Sequence, residues 1–236
     1  MTWLSPTCSS FLALPLAAAS FSGQVTLVDS LEPSVRKLKN YSGVVVWLQP
    51  VSGEARLPPP KTFTMLQKGK RFVPHVLAVP VGATVDFPNA DPIFHNAFSN
   101  FAGQPFDTGL YPPGSTQKVH FRREGAVRVF CNIHATMSAA ILVVNTPYFA
   151  VTGPGGGFRV DAVPPGEYRV HIWHERAPEA TLQALTKRIT ITEPSTTQTA
   201  ITISESGHLE IPHSNKYGKE YAPEPAERPG YRPPKR

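Results

Sequence analysis

Residues 129–137, VFCNIHATM, carry the pattern on which the interpretation of this chain depends. Apolar residues alternate up to Cys131, which places the cysteine sulfur on the inward face at the end of a predicted strand. The next predicted strand begins near Ala139, so the residues between the two strands form a short connecting loop. Such a loop brings the Cys131 thiol, the His134 imidazole and the Met137 thioether to one end of a sheet.

A second segment, residues 86–99 (DFPNADPIFHNAFS), supplies another imidazole. A predicted strand ends there in a turn-rich loop, and His95 opens the following strand. If the strands close as a Greek-key sandwich, His95 can lie beside the Cys131 loop at the same pole. Two imidazole nitrogens, one thiolate and a weak axial thioether are the ligands expected for a blue-copper electron-transfer centre.

The motifs FPNADPIFHN and VFCNIHATM resemble those of the cupredoxins, the small blue copper proteins. The C-x-x-H-x-x-M spacing is especially similar to that of amicyanin. Over residues 24–205 the order of the chain also resembles exported plastocyanin-like proteins labelled methylamine-utilisation proteins, which join a cupredoxin domain to a small sandwich like the carboxypeptidase regulatory domain. The resemblance implies one type 1 copper per chain, with His95, Cys131 and His134 as equatorial ligands and Met137 as the axial ligand.

The resemblance also implies two supporting residues. Asn96 matches the cupredoxin position that ties the two ligand loops together, and Phe130 matches the aromatic residue that commonly precedes the cysteine. The chain departs from the amicyanin pattern at Ala135, where amicyanin-like loops have proline directly after the second histidine. Because proline fixes φ, we expect the loop backbone to be freer here.

The rest of the chain has short apolar or alternating runs separated by Pro, Gly, Asn and Asp, with little helical periodicity. This pattern predicts an all-β protein, in which a Greek-key cupredoxin sandwich is followed by a small antiparallel β-sandwich. A helix over residues 178–187 is the weaker alternative for that segment. The predicted divisions are 1–22 (signal peptide), 23–147 (cupredoxin-like copper domain), 148–205 (small sandwich) and 206–236 (flexible, basic, proline-containing tail).

Length and composition limit the possible classes of protein. At 236 residues, with 41% hydrophobic and 17% charged residues, the chain can bury a substantial core and is neither coiled-coil nor fully disordered in composition. Its two cysteines, Cys8 and Cys131, cannot form a disulfide framework. The net charge of +6 comes from the two ends, without a recognition element rich in Lys, Arg and aromatic residues, so we expect no nucleic-acid partner.

The N-terminus contains a nine-residue apolar run, residues 11–19, which is interrupted by Pro15 and is too short to span a bilayer. Ala17 and Ala19 have the A-x-A spacing of a signal-peptidase site, although no Lys or Arg precedes the run. We therefore predict an exported protein without a membrane span, which is periplasmic if the source is a Gram-negative bacterium. Its mature chain is expected to begin near residues 21–23.

The predicted function is single-electron transfer between redox partner proteins. One partner would be a cytochrome or a quinoprotein-like protein. We do not expect the chain to be an enzyme by itself. By the same resemblance, His134 on its exposed loop is the expected exit for the electron. The candidates for an apolar docking surface around it are Pro112, Pro113, Tyr111, Phe98 and Phe101, but we favour core packing for Phe98 and keep both possibilities open for Tyr111.

Several alternatives remain open from the sequence. Zinc is the nearest rival metal, although a thioether is a poor zinc ligand. Cysteine–histidine nucleophilic catalysis would need an oxyanion site and an orienting group that the sequence does not reveal. The chain could also be a structural or surface-interaction β protein with an empty or vestigial site, or could bind and deliver copper in the periplasm. In the second unit, His174 with Glu175 is a candidate secondary polar site.

Overall fold

The computed structural model describes residues 19–100, 103–192, 196–208 and 213–221, and it confirms the all-β class. Within these residues, two short helices are formed, α1 (Pro33–Leu38) and α2 (Glu179–Ala184). The strands follow one another along the chain as β1 (Ala19–Val28), β2 (Val45–Pro50), β3 (Thr62–Thr64), β4 (Leu66–Gln67), β5 (Phe72–Val73), β6 (Val76–Pro80), β7 (Thr84–Pro88), β8 (Phe98–Ser99), β9 (Phe106–Asp107), β10 (Thr116–His120), β11 (Gly125–Phe130), β12 (Ser138–Val144), β13 (Phe149–Val151), β14 (Gly157–Val163), β15 (Gly166–Trp173), β16 (Lys187–Ile191) and β17 (Thr196–Ser204).

The first sandwich comprises the sheets β10-β7-β3 and β6-β12-β11-β8-β9. Their facing sides bury one apolar cluster, to which β7 contributes Val85 and Phe87 and β11 contributes Val127 and Val129. These residues are two apart on each strand, so they point to the same face. Cys131 continues the alternation of β11 and lies in the same cluster, fully buried.

The second sandwich comprises the sheets β14-β1-β17 and β13-β2-β15-β16, which enclose a separate apolar cluster. Strand β1 runs parallel to β17, with pairing from Ser20 opposite Thr196 to Val28 opposite Ser204. Strand β2 pairs with both β13 and β15. Two strands from the N-terminal part of the chain therefore complete the sandwich formed by its C-terminal part.

This arrangement differs from the predicted division of the chain into 23–147 and 148–205. The alternation in β1 and β2 shows that each strand buries one face, but it does not show which sheet the strand joins. Pairing with distant strands is decided by the complete fold. The first sandwich is formed by the strands from Thr62 to Val144, and the second by strands on both sides of that segment.

The two sandwiches share a third apolar cluster, which includes Val45 of β2, Val76 of β6 and Leu142 and Val144 of β12. The intervening β12 residues, such as Ile141, point instead into the core of the first sandwich. Strand β12 is therefore covered on both faces. This explains its unbroken apolar sequence, since strands buried on both sides lose the alternation of half-exposed ones.

Two smaller expectations need correction. The helix within 178–187, which we treated as the weaker alternative, is formed as α2, and its Leu182 is buried against the second sandwich. The leader over residues 1–22 stays a prediction: residues 1–18 lie outside the described residues, and residues 19–22 belong to β1, where Phe21 is fully buried. The segment 206–236, which we predicted to be a flexible tail, includes residues that pack on the rest of the protein: residues 213–221 form hydrogen bonds with Cys131 and Asn132.

Among the helices of the described residues, none has the length and apolar character needed to cross a bilayer.

Candidate metal centre

The loop 131–137 connects β11 to β12 at one end of the first sandwich. The two strands are in register up to Phe130 opposite Ser138. The loop is closed by its own backbone, since the Cys131 N–H donates to the Met137 carbonyl at 3.1 Å and the Met137 N–H donates to the His134 carbonyl at 3.1 Å. This tight closure holds the three predicted ligands of the segment on one short piece of chain.

The other predicted ligand, His95, lies in the connection that follows β7. It forms an isolated antiparallel bridge with Tyr111: the Tyr111 N–H donates to the His95 carbonyl at 2.9 Å and the His95 N–H donates to the Tyr111 carbonyl at 3.3 Å. The Tyr111 hydroxyl donates to the Phe87 carbonyl at 2.9 Å and accepts a hydrogen bond from Gln67 at 2.6 Å. His95 is therefore anchored through its backbone to a residue fixed in the core.

The folded chain brings His95, Cys131 and His134 together, and all three are buried. One ligand atom from each lies within 4.8 Å of the other two. The Cys131 Sγ is 3.8 Å from His95 Nδ1 and 3.5 Å from His134 Nδ1. The two imidazole rings are inclined by 63°, with centroids 4.8 Å apart. Both Nδ1 atoms thus face the same sulfur.

This donor set fits a single bound ion. Metal–nitrogen and metal–sulfur bonds of about 2.0–2.3 Å place the donors of a trigonal site roughly 3.6 Å apart. The two observed sulfur–nitrogen distances, 3.8 and 3.5 Å, are close to that separation. A soft thiolate combined with two imidazoles favours copper among the metals that such a site could hold.

Asp91 is a residue of the site that the sequence reasoning did not identify. Its Oδ2 lies 2.8 Å from His95 Nε2, on the far side of the ring from Cys131. The carboxylate also accepts hydrogen bonds from the backbone N–H groups of Gly69 at 2.6 Å and Lys70 at 2.9 Å. Burial disfavours its charged form, but these hydrogen bonds and the one to His95 outweigh burial and hold the pKa of Asp91 below its usual value.

The pairing with Asp91 determines which nitrogen of His95 is available. The Asp91 carboxylate accepts a hydrogen bond from Nε2–H, so Nδ1 carries the lone pair that faces Cys131. The spacing of Asp91, four residues before His95 within a turn-forming sequence, was the signal that could have revealed it. The turn itself is formed by Asn89, whose Oδ1 accepts the Asp91 N–H at 3.1 Å.

Asn96 connects the two segments that carry the predicted ligands. Its Oδ1 accepts the Asn132 N–H at 2.6 Å, and its Nδ2 donates to Asp107 Oδ1 at 3.3 Å. Asn132 directly follows Cys131, so this hydrogen bond joins the His95 segment to the loop 131–137. Asn96 is fully buried, which protects the contact from exchange with water.

The other two predicted site residues also lie in the interior. Met137 is fully buried in the same apolar cluster as Cys131, at the end of the loop. Phe130 is buried on the opposite face of β11, where its ring lies 5.9 Å from that of Phe98. Axial ligation by Met137 stays a prediction.

The predicted docking surface is only partly exposed. Pro112 and Pro113 are exposed, whereas Tyr111 and Phe98 are buried, because the Tyr111 hydroxyl is bonded in the core and Phe98 packs on Phe130. Phe101 lies outside the described residues. Three large apolar side chains that are exposed, Phe94, Leu110 and Ile133, are adjacent in sequence to buried residues of the site region. The buried residues are His95, Tyr111 and His134, respectively. His134 itself is only 8% exposed, which is less than its place on a surface loop suggested.

The candidate polar site at His174 and Glu175 is divided between two different pairs. His174 Nε2 lies 2.8 Å from Glu205 Oε1, whereas Glu175 pairs with His75 Nε2 at 2.9 Å. Arg176 donates to both oxygens of Glu205, at 3.1 and 3.0 Å. These residues form a network of ion pairs at the end of the second sandwich, and it includes a contact with His75 of the first.

Comparison with protein-family models gives no match, and comparison with curated proteins gives none either. Several solved structures are similar to part of the chain. A purple cupredoxin from Nitrosopumilus maritimus is 24% identical, with a TM-score of 0.32 over 34% of this chain and 98% of that one. A copper-containing nitrite reductase from Thermus scotoductus SA-01 is 28% identical, with a TM-score of 0.35 over 51% of this chain and 28% of that one. A reduced mutant of amicyanin is 16% identical, with a TM-score of 0.34 over 42% of this chain and 98% of that one.

Proposed function

We propose that the chain is an exported blue copper protein that carries single electrons between redox partners, and that His95, Cys131, His134 and Met137 hold the metal. The observation that carries the proposal is the buried group of two imidazoles and one thiol, whose ligand atoms lie within 4.8 Å of one another. Copper bound by these donors would supply a one-electron couple. The protein would hold the donor atoms in place and exclude water from the site.

The arrangement of the ligand residues suits electron transfer because contacts elsewhere in the protein restrict it. Loop closure at Met137, the Asn96–Asn132 hydrogen bond and the Asp91–His95 pair each restrict one part of the site. Donors that are fixed in this way rearrange little when the charge of the ion changes.

The burial of the site favours a carrier over an enzyme. Cys131 and His95 are fully buried, and His134 is nearly so. A substrate would have to displace these side chains to reach a metal between them, whereas an electron can pass through the His134 ring. The exposed residues Phe94, Leu110 and Ile133 would give a partner an apolar surface near this ring, suited to brief contact.

The proposal is tested by titrating the folded, reduced mature protein with Cu(II). We expect an intense visible thiolate-to-copper charge-transfer band that saturates at one equivalent and is abolished by Cys131→Ser. The matched control is His171→Gln in β15, where the imidazole stacks on Trp47 at 5.1 Å in the second sandwich; it should leave the band unchanged. Absence of the band from correctly folded protein would overturn the proposal and favour a structural role.

A second measurement separates an electron carrier from a protein that delivers copper. Voltammetry of the copper-loaded protein should give a reversible one-electron couple, and the metal should leave slowly when a chelator is added. Rapid loss of copper to the chelator, without a reversible couple, would favour delivery of the ion.

A further inference from the structure

The C-terminal strap, residues 213–221, lies against the outside of the loop 131–137. An aromatic contact fixes one end of it: the His213 ring stacks on the Phe130 ring with centroids 4.1 Å apart and planes inclined by 29°. Tyr221, at the other end of the strap, packs edge-on against the same imidazole at 5.2 Å. Phe130 directly precedes Cys131, so the strap reaches the loop at its first residue.

Hydrogen bonds connect the strap to the backbone of the cysteine. The Tyr221 hydroxyl donates to the Cys131 carbonyl at 2.8 Å, and it lies 3.0 Å from His213 Nδ1. Because the hydroxyl proton is used by the carbonyl, the imidazole N–H is the donor in the second contact.

The strap also holds the next residue of the loop. The Lys216 N–H donates to Asn132 Oδ1 at 3.0 Å, while the backbone N–H of Asn132 is already bonded to Asn96. The Lys216 ammonium group reaches Asp107 Oδ2 at 2.7 Å. Asn132 is therefore held on one side by the His95 segment and on the other by the strap.

A further contact lies at Ala135, the position where the sequence lacks the proline of similar loops. The His213 side chain lies close to the Ala135 backbone. The strap thus meets the loop at Cys131, at Asn132 and at Ala135, which lie on both sides of His134. The loop therefore lacks the backbone constraint of a proline at residue 135, but it is contacted by a distant part of the chain.

We propose that the C-terminal strap braces the ligand loop, and that Tyr221 and His213 are positioning residues for the metal centre. The part of this inference that concerns copper rests on the proposed function. The brace itself is a property of the metal-free protein. The loop supplies three of the four proposed ligands, so restricting its backbone keeps the donors together before the metal binds and slows their separation afterwards.

The test compares Tyr221→Phe with Tyr217→Phe. Both substitutions remove one phenolic hydroxyl from the strap, but Tyr217 is 70% exposed and only Tyr221 is bonded to the Cys131 carbonyl. In metal-free protein, amide hydrogen exchange of residues 132–137 should become about 5-fold faster in Tyr221→Phe, the factor that corresponds to one lost hydrogen bond. Tyr217→Phe should leave the exchange unchanged. His213→Ala, which removes the stacked ring as well, should accelerate it further.

In copper-loaded protein, Tyr221→Phe should release the metal to a chelator about 5-fold faster by the same reasoning. Its reduction potential should fall, because the carbonyl beside the sulfur no longer gives electron density to a hydrogen bond. The potential of Tyr217→Phe should equal that of the unmodified protein. A purely structural effect on the strap would leave the potential unchanged.

The outcomes for the brace and for the copper site can be told apart. Unchanged loop exchange in both Tyr221→Phe and His213→Ala would overturn the brace, even if the protein forms a blue copper centre. Faster exchange in a protein that forms no such centre would support the brace and overturn the proposed function. Faster exchange with an unchanged potential would overturn the role of these residues in positioning the metal.

Discussion

Two histidines in different sandwiches form nearly identical pairs, yet their surroundings differ. His95 Nε2 lies 2.8 Å from Asp91, and His174 Nε2 lies 2.8 Å from Glu205, with both histidines buried. The Nδ1 of His95 faces the Cys131 sulfur, whereas the Nδ1 of His174 has no hydrogen-bond partner in the part of the chain that the structure describes. A buried histidine–carboxylate pair therefore does not identify a metal centre. The groups that face the second nitrogen distinguish the proposed metal centre from the pair at His174.

The carboxylates differ as well. Glu205 is bonded by the Arg176 guanidinium, which supplies a full positive charge, and by the Ser30 hydroxyl. Burial opposes its ionisation, but the hydrogen bonds from His174, Arg176 and Ser30 lower the pKa of Glu205 to about 2. Asp91 is bonded instead by backbone N–H groups. Its Oδ2 is also bonded to His95, as expected for a carboxylate that orients the proposed metal ligand.

The largest expected effect comes from breaking the Glu205 pair. Glu205→Ala leaves the Arg176 guanidinium without its main partner, and breaking a buried ion pair in this way costs about 3–5 kcal/mol of unfolding free energy. Denaturant unfolding measures the loss. Asp161→Ala, which removes the exposed partner of Arg159, is the control and should change stability little. Copper affinity that fell along with stability would contradict the distinction between the two histidines.

A smaller effect is expected when Asp91 is changed to Asn. The substitution keeps the size of the side chain but removes the charge that fixes His95, and loss of such a partner typically weakens metal binding about 10–100-fold. Competition with a chelator measures the affinity. The metal-free protein should lose less stability than Glu205→Ala does. An unaltered copper affinity would mean that Asp91 serves only to fold its turn.

The smallest effect concerns a third pair, His75 with Glu175, whose histidine side chain is half exposed. The hydrogen bond to Glu175 raises the pKa of His75 and outweighs burial, with further help from the Ser138 carbonyl and opposition from Arg176. A raised pKa in the folded state means that the pair stabilises the protein below the ordinary histidine pKa. The contribution is lost as pH rises through the raised value.

Unfolding free energies of the unmodified protein and His75→Gln should therefore differ at pH 5.5 and converge by pH 9. Because exposed pairs are weak, the difference at pH 5.5 should not exceed about 1 kcal/mol. A difference that grew with pH would show that His75 is stabilised in its neutral form. In that case the contribution of the His75–Glu175 pair to the unfolding free energy would differ from those of the two buried pairs in the direction of its pH dependence as well as in its size.

Local patterns predicted the elements that depend on local sequence. The alternation that ends at Cys131 and the short distance to the next strand indicated β11, β12 and the loop between them, and the structure confirms an all-β fold. The same segment placed His134 beside the sulfur. His95 could be added because a turn-rich loop and a following strand are visible in the sequence. No long-range information was needed for these steps beyond the assumption of a closed sandwich.

The features that escaped prediction depend on contacts between distant residues. Asp91 was part of a quoted motif, but its role depends on backbone N–H groups of Gly69 and Lys70 that sequence spacing does not place nearby. The strap was read as a tail because its composition is polar. Its order comes from Phe130 and the Cys131 carbonyl, which lie far away in the chain.

The pairing of β2 with β13 has a consequence for the modular construction of the protein. Trp47 lies opposite Phe149, and the Leu48 N–H donates to the Tyr148 carbonyl at 2.9 Å, so the chain leaves and returns to the second sandwich at adjacent points. The first sandwich occupies the place of a hairpin loop and can be regarded as an inserted module. Its strands are contiguous in sequence and can pair as soon as that segment is available, whereas β1 must wait for β17. The second sandwich can be completed only after β17 is available, and removal of the inserted module would expose the apolar cluster that the two sandwiches share.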